Sequence, residues 1–133
     1  MDAVFSNQAN QDYMSALQLA FFREKLTAMK TEVLSRQAAI SSEDREDISR
    51  IPDPLDRASA EEARQAALKA SERDLMQLRE INAALSRIES GDYGYCEETG
   101  EEIGVRRLMA YPAARLSLEA QQMKEAQNRF AGR

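Results

Sequence analysis

Hydrophobic side chains recur every three or four residues along two long stretches that contain neither glycine nor proline. The first stretch runs from Tyr13 to Ile51, and the second runs from Leu55 to Ser90. This spacing places the apolar side chains on one stripe of a helix, which must be covered by another helix to be stable. The pattern therefore predicts two long helices that pair as an antiparallel coiled-coil hairpin.

The apolar positions also predict which face of each helix is buried. In the first helix they are Leu19, Phe22, Leu26, Met29, Val33 and Ile40. In the second helix they are Leu75, Leu78, Leu85 and Ile88, with Asn82 at one further position of the stripe. Nearer the turn the stripe is mostly alanine, at Ala60, Ala63, Ala66 and Ala67. Alanine removes little apolar area from water, so we expect a slim and weakly held hairpin there.

The sequence IPDPLDRASAEE connects the two predicted helices. Pro54 disfavours helical geometry at Asp53, so the first helix is predicted to end before that residue. Ser59 and Glu62 have the S-x-x-E spacing of a capping box, which predicts the start of the second helix. Asp56 is an alternative cap one turn earlier, whereas no capping role is predicted for Asp53.

This turn therefore places two carboxylates, Asp53 and Asp56, at the tip of the hairpin with Arg57 beside them. Carboxylates in such a position are suited to meet arginines, main-chain amides or a bound Mg²⁺ on a partner. The tip is too small to enclose a substrate. We expect it to act by insertion into a larger, basic partner.

The overall composition narrows the class of protein. Of the 133 residues, 31% are charged and 6% are aromatic, which is typical of long solvated helices. A net charge of −5 argues against a nucleic-acid backbone as the main partner. There is no signal-peptide pattern and no run of about 18 apolar residues, so we expect a cytoplasmic protein outside the membrane. The absence of histidine and of a nucleophile–base pair argues against an enzyme.

Four of the five glycines lie between residues 91 and 104, around the single cysteine of the chain, Cys96. A glycine-rich turn that presents a cysteine is typical of the first half of a zinc knuckle, in which a second ligand follows three residues later. Thr99 occupies that place. The glycines are still expected to be required by the geometry of the turns.

Three segments occur in order along the chain: YMSALQLAFFREKL, DPLDRAS and DYGYCEETGEEIGVRRLMAYPAARL. Together they resemble the DksA family of bacterial transcription factors, over nearly the whole chain from Tyr13 onward. The resemblance implies a mainly all-α fold, with a long coiled-coil hairpin, a small zinc-finger-like globular lobe and a C-terminal helix. It predicts a flexible N-terminus over residues 1–12, the hairpin over 13–90 with its tip at 51–59, and the degenerate lobe over 91–133.

The resemblance also implies a function. Members of the family bind RNA polymerase, insert the hairpin into its secondary channel and change the stability of open promoter complexes, commonly with guanosine tetraphosphate (ppGpp) in the stringent response. Asp53, Asp56 and Ala58 match the D-x-x-D-x-A tip of the family, with Arg57 between them. The predicted partner is therefore RNA polymerase, bound by a monomer, without sequence-specific DNA binding and without a membrane.

The chain departs from the family at the metal. The zinc-ligand pattern of the family aligns without a gap to Cys96, Thr99, Ser117 and Ala120. One thiolate and two neutral hydroxyls are a poor donor set for structural zinc, so we expect no metal cofactor. Apolar packing is expected to hold the lobe instead.

A second departure concerns the nucleotide. The positions that carry basic side chains at the ppGpp site of the family correspond here to Glu80, Tyr111 and Gln121. Loss of these cations weakens the binding of a tetra-anion, although five other basic residues are close in sequence and offer alternatives: Arg79, Arg106, Arg107, Arg115 and Lys124. A role for ppGpp as co-regulator at the polymerase interface is therefore left open.

Two other interpretations compete with the polymerase regulator. A Gre-like transcript-cleavage or anti-backtracking factor shares the acidic hairpin tip, but the glycine-rich segment does not resemble its globular half. A purely structural coiled coil would share the periodicity and leave the DPLDRAS tip without a role.

Overall fold

A computed structural model describes residues 12–43 and 48–131 of the chain, with side chains up to residue 39 in the first helix. Residues 1–11, which belong to the predicted flexible N-terminus, lie outside these ranges, as does the side chain of Ile40. The described residues form four α-helices: α1 (Ala16–Glu43), α2 (Pro54–Ser90), α3 (Val105–Ala110) and α4 (Leu118–Ala131). The mainly all-α fold predicted from the sequence is confirmed. None of these helices has the length and apolarity needed to cross a bilayer.

The chain divides into two compact units. Among the described residues, unit 1 contains those up to Ala28 and those from Glu80 onward, and unit 2 contains Met29–Arg79. The domains predicted from the sequence divide the chain elsewhere, after residue 90. Contacts therefore group the ends of both long helices with the predicted globular lobe.

In unit 1, a core forms where the start of α1 meets the end of α2. Phe22 and Leu26 of α1 and Ile81 of α2 are completely buried. The ring centroid of Phe22 lies 5.7 Å from that of Tyr93, which follows α2 and is itself buried. Fully burying a large apolar side chain contributes about 2 kcal/mol, so packing of Tyr93 against Phe22 helps to attach the segment after α2 to the long helices.

The buried face of α2 differs from the predicted one. Ile81, Ala84 and Ile88 are buried, whereas Asn82 is exposed and Leu75 is 42% exposed. Two stripes with three- and four-residue spacing overlap on this helix and share Ile88. The observed stripe buries Ile81, which the predicted stripe would have left exposed to water. Burial of this apolar side chain therefore favours the observed stripe.

Unit 2 contains the middle of the paired helices, and polar contacts join them. The guanidinium of Arg36 in α1 donates two hydrogen bonds to the Asp74 carboxylate in α2, at 3.3 and 3.1 Å. Gln37 and Ser71 exchange two more, from the Gln37 amide to the Ser71 carbonyl and from the Ser71 hydroxyl back. Residue numbers rise along α1 as they fall along α2, so the helices are antiparallel.

The predicted alanine stripe of α2 also lies in unit 2, and its prediction is right in part. Ala60 and Ala67 are half-buried, whereas Ala63 and Ala66 are exposed. Small side chains on the covered face leave little apolar area to remove from water.

Candidate functional site: tip, knuckle and cleft

The tip of the hairpin is organised by Asp53. Its carboxylate accepts a hydrogen bond from the Leu55 amide at 2.9 Å, and its carbonyl accepts one from the Arg57 amide at 2.9 Å. Asp53 is therefore the N-cap of α2, and Pro54 is the first helical residue. The prediction that a capping box at Ser59 and Glu62 begins the helix is wrong. Proline suits the first helical position because its missing amide hydrogen would have no partner there.

Arg57 stabilises the entry to this helix. Its Nη1 donates to the Ile51 carbonyl at 3.0 Å, and its side chain is half-buried. Asp56 and Ala58 are exposed, and Leu55 between the two acidic residues is 77% exposed. Within the described residues, no hydrogen bond or ion pair engages the Asp56 carboxylate. The tip therefore presents one carboxylate that caps its own helix and one that is available to a partner.

The knuckle contains two loops, a first loop over residues 91–104 and a second loop over residues 111–117. Tyr13, just before α1, fastens the first loop at both ends: its hydroxyl donates to the Gly94 carbonyl at 2.8 Å and accepts from the Gly104 amide at 2.9 Å. All four glycines of this loop have positive φ, as their predicted role in the turns requires. At Gly94 a Cβ atom would also lie only 2.7 Å from Cγ of Met14.

The positions aligned with zinc ligands come together only in part. Cys96 is buried, with 3% of its surface exposed. Burial by itself raises the pKa of this thiol, but hydrogen bonds from the Thr99 hydroxyl and from the amides of Ser117, Thr99 and Glu98 lower the pKa to about 6. These contacts link Cys96 with both loops. Ala120 is buried and contributes only a methyl group.

Ser117 has a local role that the sequence analysis did not assign. Its hydroxyl accepts a hydrogen bond from the Ala120 amide at 3.2 Å, and its carbonyl accepts one from the Gln121 amide at 2.9 Å. Ser117 is therefore the N-cap of α4, which begins at Leu118. Met123 and Phe130 of this helix are exposed.

The three altered nucleotide positions line one cleft in unit 1. Glu80, Tyr111 and Gln121 lie around a cavity of about 460 Å³, together with Arg107, Arg115 and Lys124. The Tyr111 hydroxyl donates a hydrogen bond to the Glu80 carboxylate. Burial, followed by this bond and the charge of Glu80, raises the pKa of Tyr111 to about 12. The cleft thus contains three basic side chains together with the Glu80 carboxylate, which already accepts a hydrogen bond from Tyr111.

Two side chains that hold the knuckle were not identified from the sequence. Tyr13 bonds to Gly94 and Gly104, which are 81 and 91 residues away along the chain. Arg87, in the last turn of α2, bonds to Glu97 and to the Ala114 carbonyl. Tyr13 begins a segment that carries the family resemblance. The resemblance marked the segment as characteristic of the family but did not predict that Tyr13 bonds to the first loop. No spacing rule indicates either contact.

Residues 18–88 match the family described as the N-terminal domain of the DnaK suppressor protein DksA, and residues 91–126 match the prokaryotic dksA/traR C4-type zinc finger. The RNA polymerase-binding transcription factor DksA of Caulobacter vibrioides is 40% identical over 90% of this chain and 84% of its own length. That of Escherichia coli K12 is 32% identical over 91% of this chain and 80% of its own length. The structure of transcription factor DksA2 from Pseudomonas aeruginosa superposes with a TM-score of 0.78 at 42% identity, covering 91% of this chain and 95% of that one.

The zinc ion implied by the C4-type description does not fit the residues present. The Thr99 hydroxyl already accepts from the Glu101 amide at 3.2 Å, and the Ser117 hydroxyl is engaged as a cap. Structural zinc takes four nitrogen or sulfur donors, and this site offers one thiol. Within the described ranges, no cluster of three or more histidine, cysteine or acidic residues is arranged to hold a metal.

Proposed function

This chain belongs to the DksA family of bacterial transcription factors, and from that membership we propose that it binds RNA polymerase directly and regulates transcription. In this proposal the acidic tip enters the secondary channel of the polymerase in the cytoplasm and changes the stability of open promoter complexes. Ribosomal RNA and amino-acid promoters are its expected targets in the stringent response. The relatives named as RNA polymerase-binding factors support the choice of partner.

The observation that carries the proposal is the exposed Asp56 carboxylate on a firmly organised helix start. The Asp53 cap and the bond from Arg57 to the Ile51 carbonyl fix the first turn of α2. Asp56 lies in that turn and is exposed, so its position is defined while its charge remains available. Ala58, one residue after Arg57, has a small side chain that allows close approach of the backbone to a partner.

A carboxylate held in this way acts without chemistry of its own. Near an active site that contains Mg²⁺ and basic side chains, it interacts differently with each state of the promoter complex. A ligand shifts an equilibrium only through such differential interaction. The interaction is strong where water is excluded, because the effective dielectric constant is low there. The protein in this proposal is therefore a regulator and not an enzyme.

The matched pair Asp56→Asn and Glu62→Gln tests this proposal in transcription from a ribosomal promoter with purified RNA polymerase. Each substitution removes one exposed negative charge from α2, and only Asp56 lies in its first turn. We expect Asp56→Asn to bind polymerase normally and to lose the effect on transcription, whereas Glu62→Gln behaves like the natural chain. Equal activity of Asp56→Asn and the natural chain would refute the assignment.

The same reactions with and without ppGpp and a chelator address the cofactors. We propose that the protein works without zinc, since the knuckle lacks the donors, and that chelators leave it active. We also propose that ppGpp adds little to the effect of this protein on transcription. Glu80 and Tyr111 place an acid and a phenol in the cleft, at positions where the family has basic side chains. A strong response to ppGpp would assign the nucleotide contacts to Arg115 and Lys124 instead. Cleavage of RNA in a backtracked complex would favour the Gre-like alternative.

A further inference from the structure

An acidic side chain between two arginines joins the two loops of the knuckle. Nη1 of Arg87, at the end of α2, donates to Oε1 of Glu97 at 3.1 Å. Nη1 of Arg115 lies 3.7 Å from Oε2 of the same carboxylate. Glu97 follows Cys96 in the first loop, and Arg115 lies two residues before Ser117 in the second loop. The carboxylate therefore links both loops and α2.

Backbone hydrogen bonds reinforce the same connection. The Glu97 amide donates to the Arg115 carbonyl at 2.9 Å, and Nη2 of Arg87 donates to the Ala114 carbonyl at 3.4 Å. The Arg87 side chain thus contacts one atom in each loop, and Glu97 contacts the second loop through both its main chain and its side chain. Loss of the carboxylate would remove two of these four links.

Burial shows which of the two ion pairs matters. The side chains of Glu97 and Arg115 are 43% and 44% exposed, and pairs at such exposure contribute little. The Arg87 side chain is only 12% exposed, and its Nε is buried without a hydrogen-bond partner in the described residues. Removing the Glu97 charge would leave a largely buried cation with one carbonyl contact. Uncompensated charges of this kind are strongly destabilising.

We propose that the Arg87–Glu97–Arg115 triad takes the place of the metal ion as the cross-link between the two loops of the knuckle. A zinc ion stabilises a finger by bonding side chains from both of its halves, and its binding energy is folding energy. The triad joins the same two segments, one residue from the Cys96 position and two from the Ser117 position. This inference concerns the folding of the knuckle and does not depend on polymerase binding.

The first test compares thermal unfolding of Glu97→Gln with that of Glu98→Gln in the full-length chain. Both substitutions remove one negative charge from neighbouring exposed positions of the same loop. We expect Glu97→Gln to lower the Tm by about 5 °C and Glu98→Gln by less than about 2 °C, with no effect of a chelator on either. Equal Tm values for the two variants would overturn the proposal.

The second test restores the metal. A chain carrying Thr99→Cys, Ser117→Cys and Ala120→Cys offers four thiols, and zinc binding to it is measured by metal analysis. If the triad and the metal both cross-link the two loops, Glu97→Gln should lower the Tm of the zinc-loaded three-cysteine variant by at most half as much as it lowers that of the natural chain. An equal loss with and without zinc would show that the triad serves a different purpose. Should the variant bind no zinc, the comparison of Glu97→Gln with Glu98→Gln decides alone.

Discussion

The carboxylate of Asp53 accepts a hydrogen bond of 2.9 Å from the backbone amide of Leu55 and so caps α2. Replacing Asp53 by alanine removes the cap, and we expect the free energy of unfolding to fall by about 1 kcal/mol. Asparagine caps helices as well as aspartate does, so Asp53→Asn should stay within a few tenths of a kcal/mol of the natural chain. Urea unfolding of the three proteins measures these differences.

The comparison also separates structure from charge at the tip. Asp53→Asn keeps the helix start and loses the charge, so any change in its effect on transcription arises from the missing charge. If Asp53→Asn were as destabilised as Asp53→Ala, the capping role would have to be abandoned.

Tyr13→Phe removes the hydroxyl that holds both ends of the first loop. The Gly104 amide loses its hydrogen-bond acceptor and the Gly94 carbonyl loses one hydrogen-bond donor, in a half-buried environment. We expect a cost of about 1–3 kcal/mol in the free energy of unfolding. Tyr95→Phe is the control: it removes the same group from an exposed side chain that packs edge-on against Tyr13. Similar small losses for both variants would contradict the role given to Tyr13.

Gly94→Ala and Gly100→Ala distinguish backbone strain from steric conflict. Both glycines have positive φ, at 93° and 75°, which costs an alanine about 1–2 kcal/mol. Only at Gly94 would the new Cβ meet other atoms, with Met14 Cγ at 2.7 Å. We expect Gly94→Ala to lose about 3 kcal/mol or more and Gly100→Ala about 1 kcal/mol, measured by chemical unfolding. Equal losses for the two variants would mean that Met14 moves away freely.

The titration of Tyr111 reports on its bond to Glu80. The pKa is raised from 10.0 to about 12, mainly by burial and then by Glu80. A raised tyrosine pKa contributes stability that is complete below pH 10 and is lost as the pH rises to about 12. We expect the phenolate absorbance assigned to this residue, by its loss in Tyr111→Phe, to appear at lower pH in Glu80→Gln. An unchanged midpoint would exclude Glu80 as a cause of the shift.

The sequence predicted the helices and the composition of the tip better than it predicted their local geometry. Hydrophobic spacing identified α1 and α2, yet placed Asn82 in the buried stripe because two stripes overlap on α2 and only packing selects Ile81. Pro54 was interpreted as a break, although proline both ends a preceding helix and begins the next one. The cap of α2 was assigned to Ser59, but the carboxylate that caps this helix is that of Asp53. The functional roles of the tip residues stay predictions.

In the knuckle, the sequence indicated what is missing but not what replaces it. The lost zinc donors at Thr99, Ser117 and Ala120 are evident from an alignment of spacings, because ligand spacing is local. The contacts of Tyr13 and Arg87 with the loops depend on how distant segments of the chain pack together. The sequence does not indicate which of its arginines and tyrosines make such contacts. The helix α3 was not predicted because six residues are too short to show a period.

Cross-linking from position 55 shows where the tip lies when the protein is bound to RNA polymerase. Leu55 is 77% exposed and lies between Asp53 and Asp56, so a photoreactive amino acid can replace it without loss of packing. With purified RNA polymerase, we expect cross-links to residues that line the secondary channel near the catalytic centre. Cross-links confined to the outer surface of a polymerase that still binds the protein would contradict insertion of the tip.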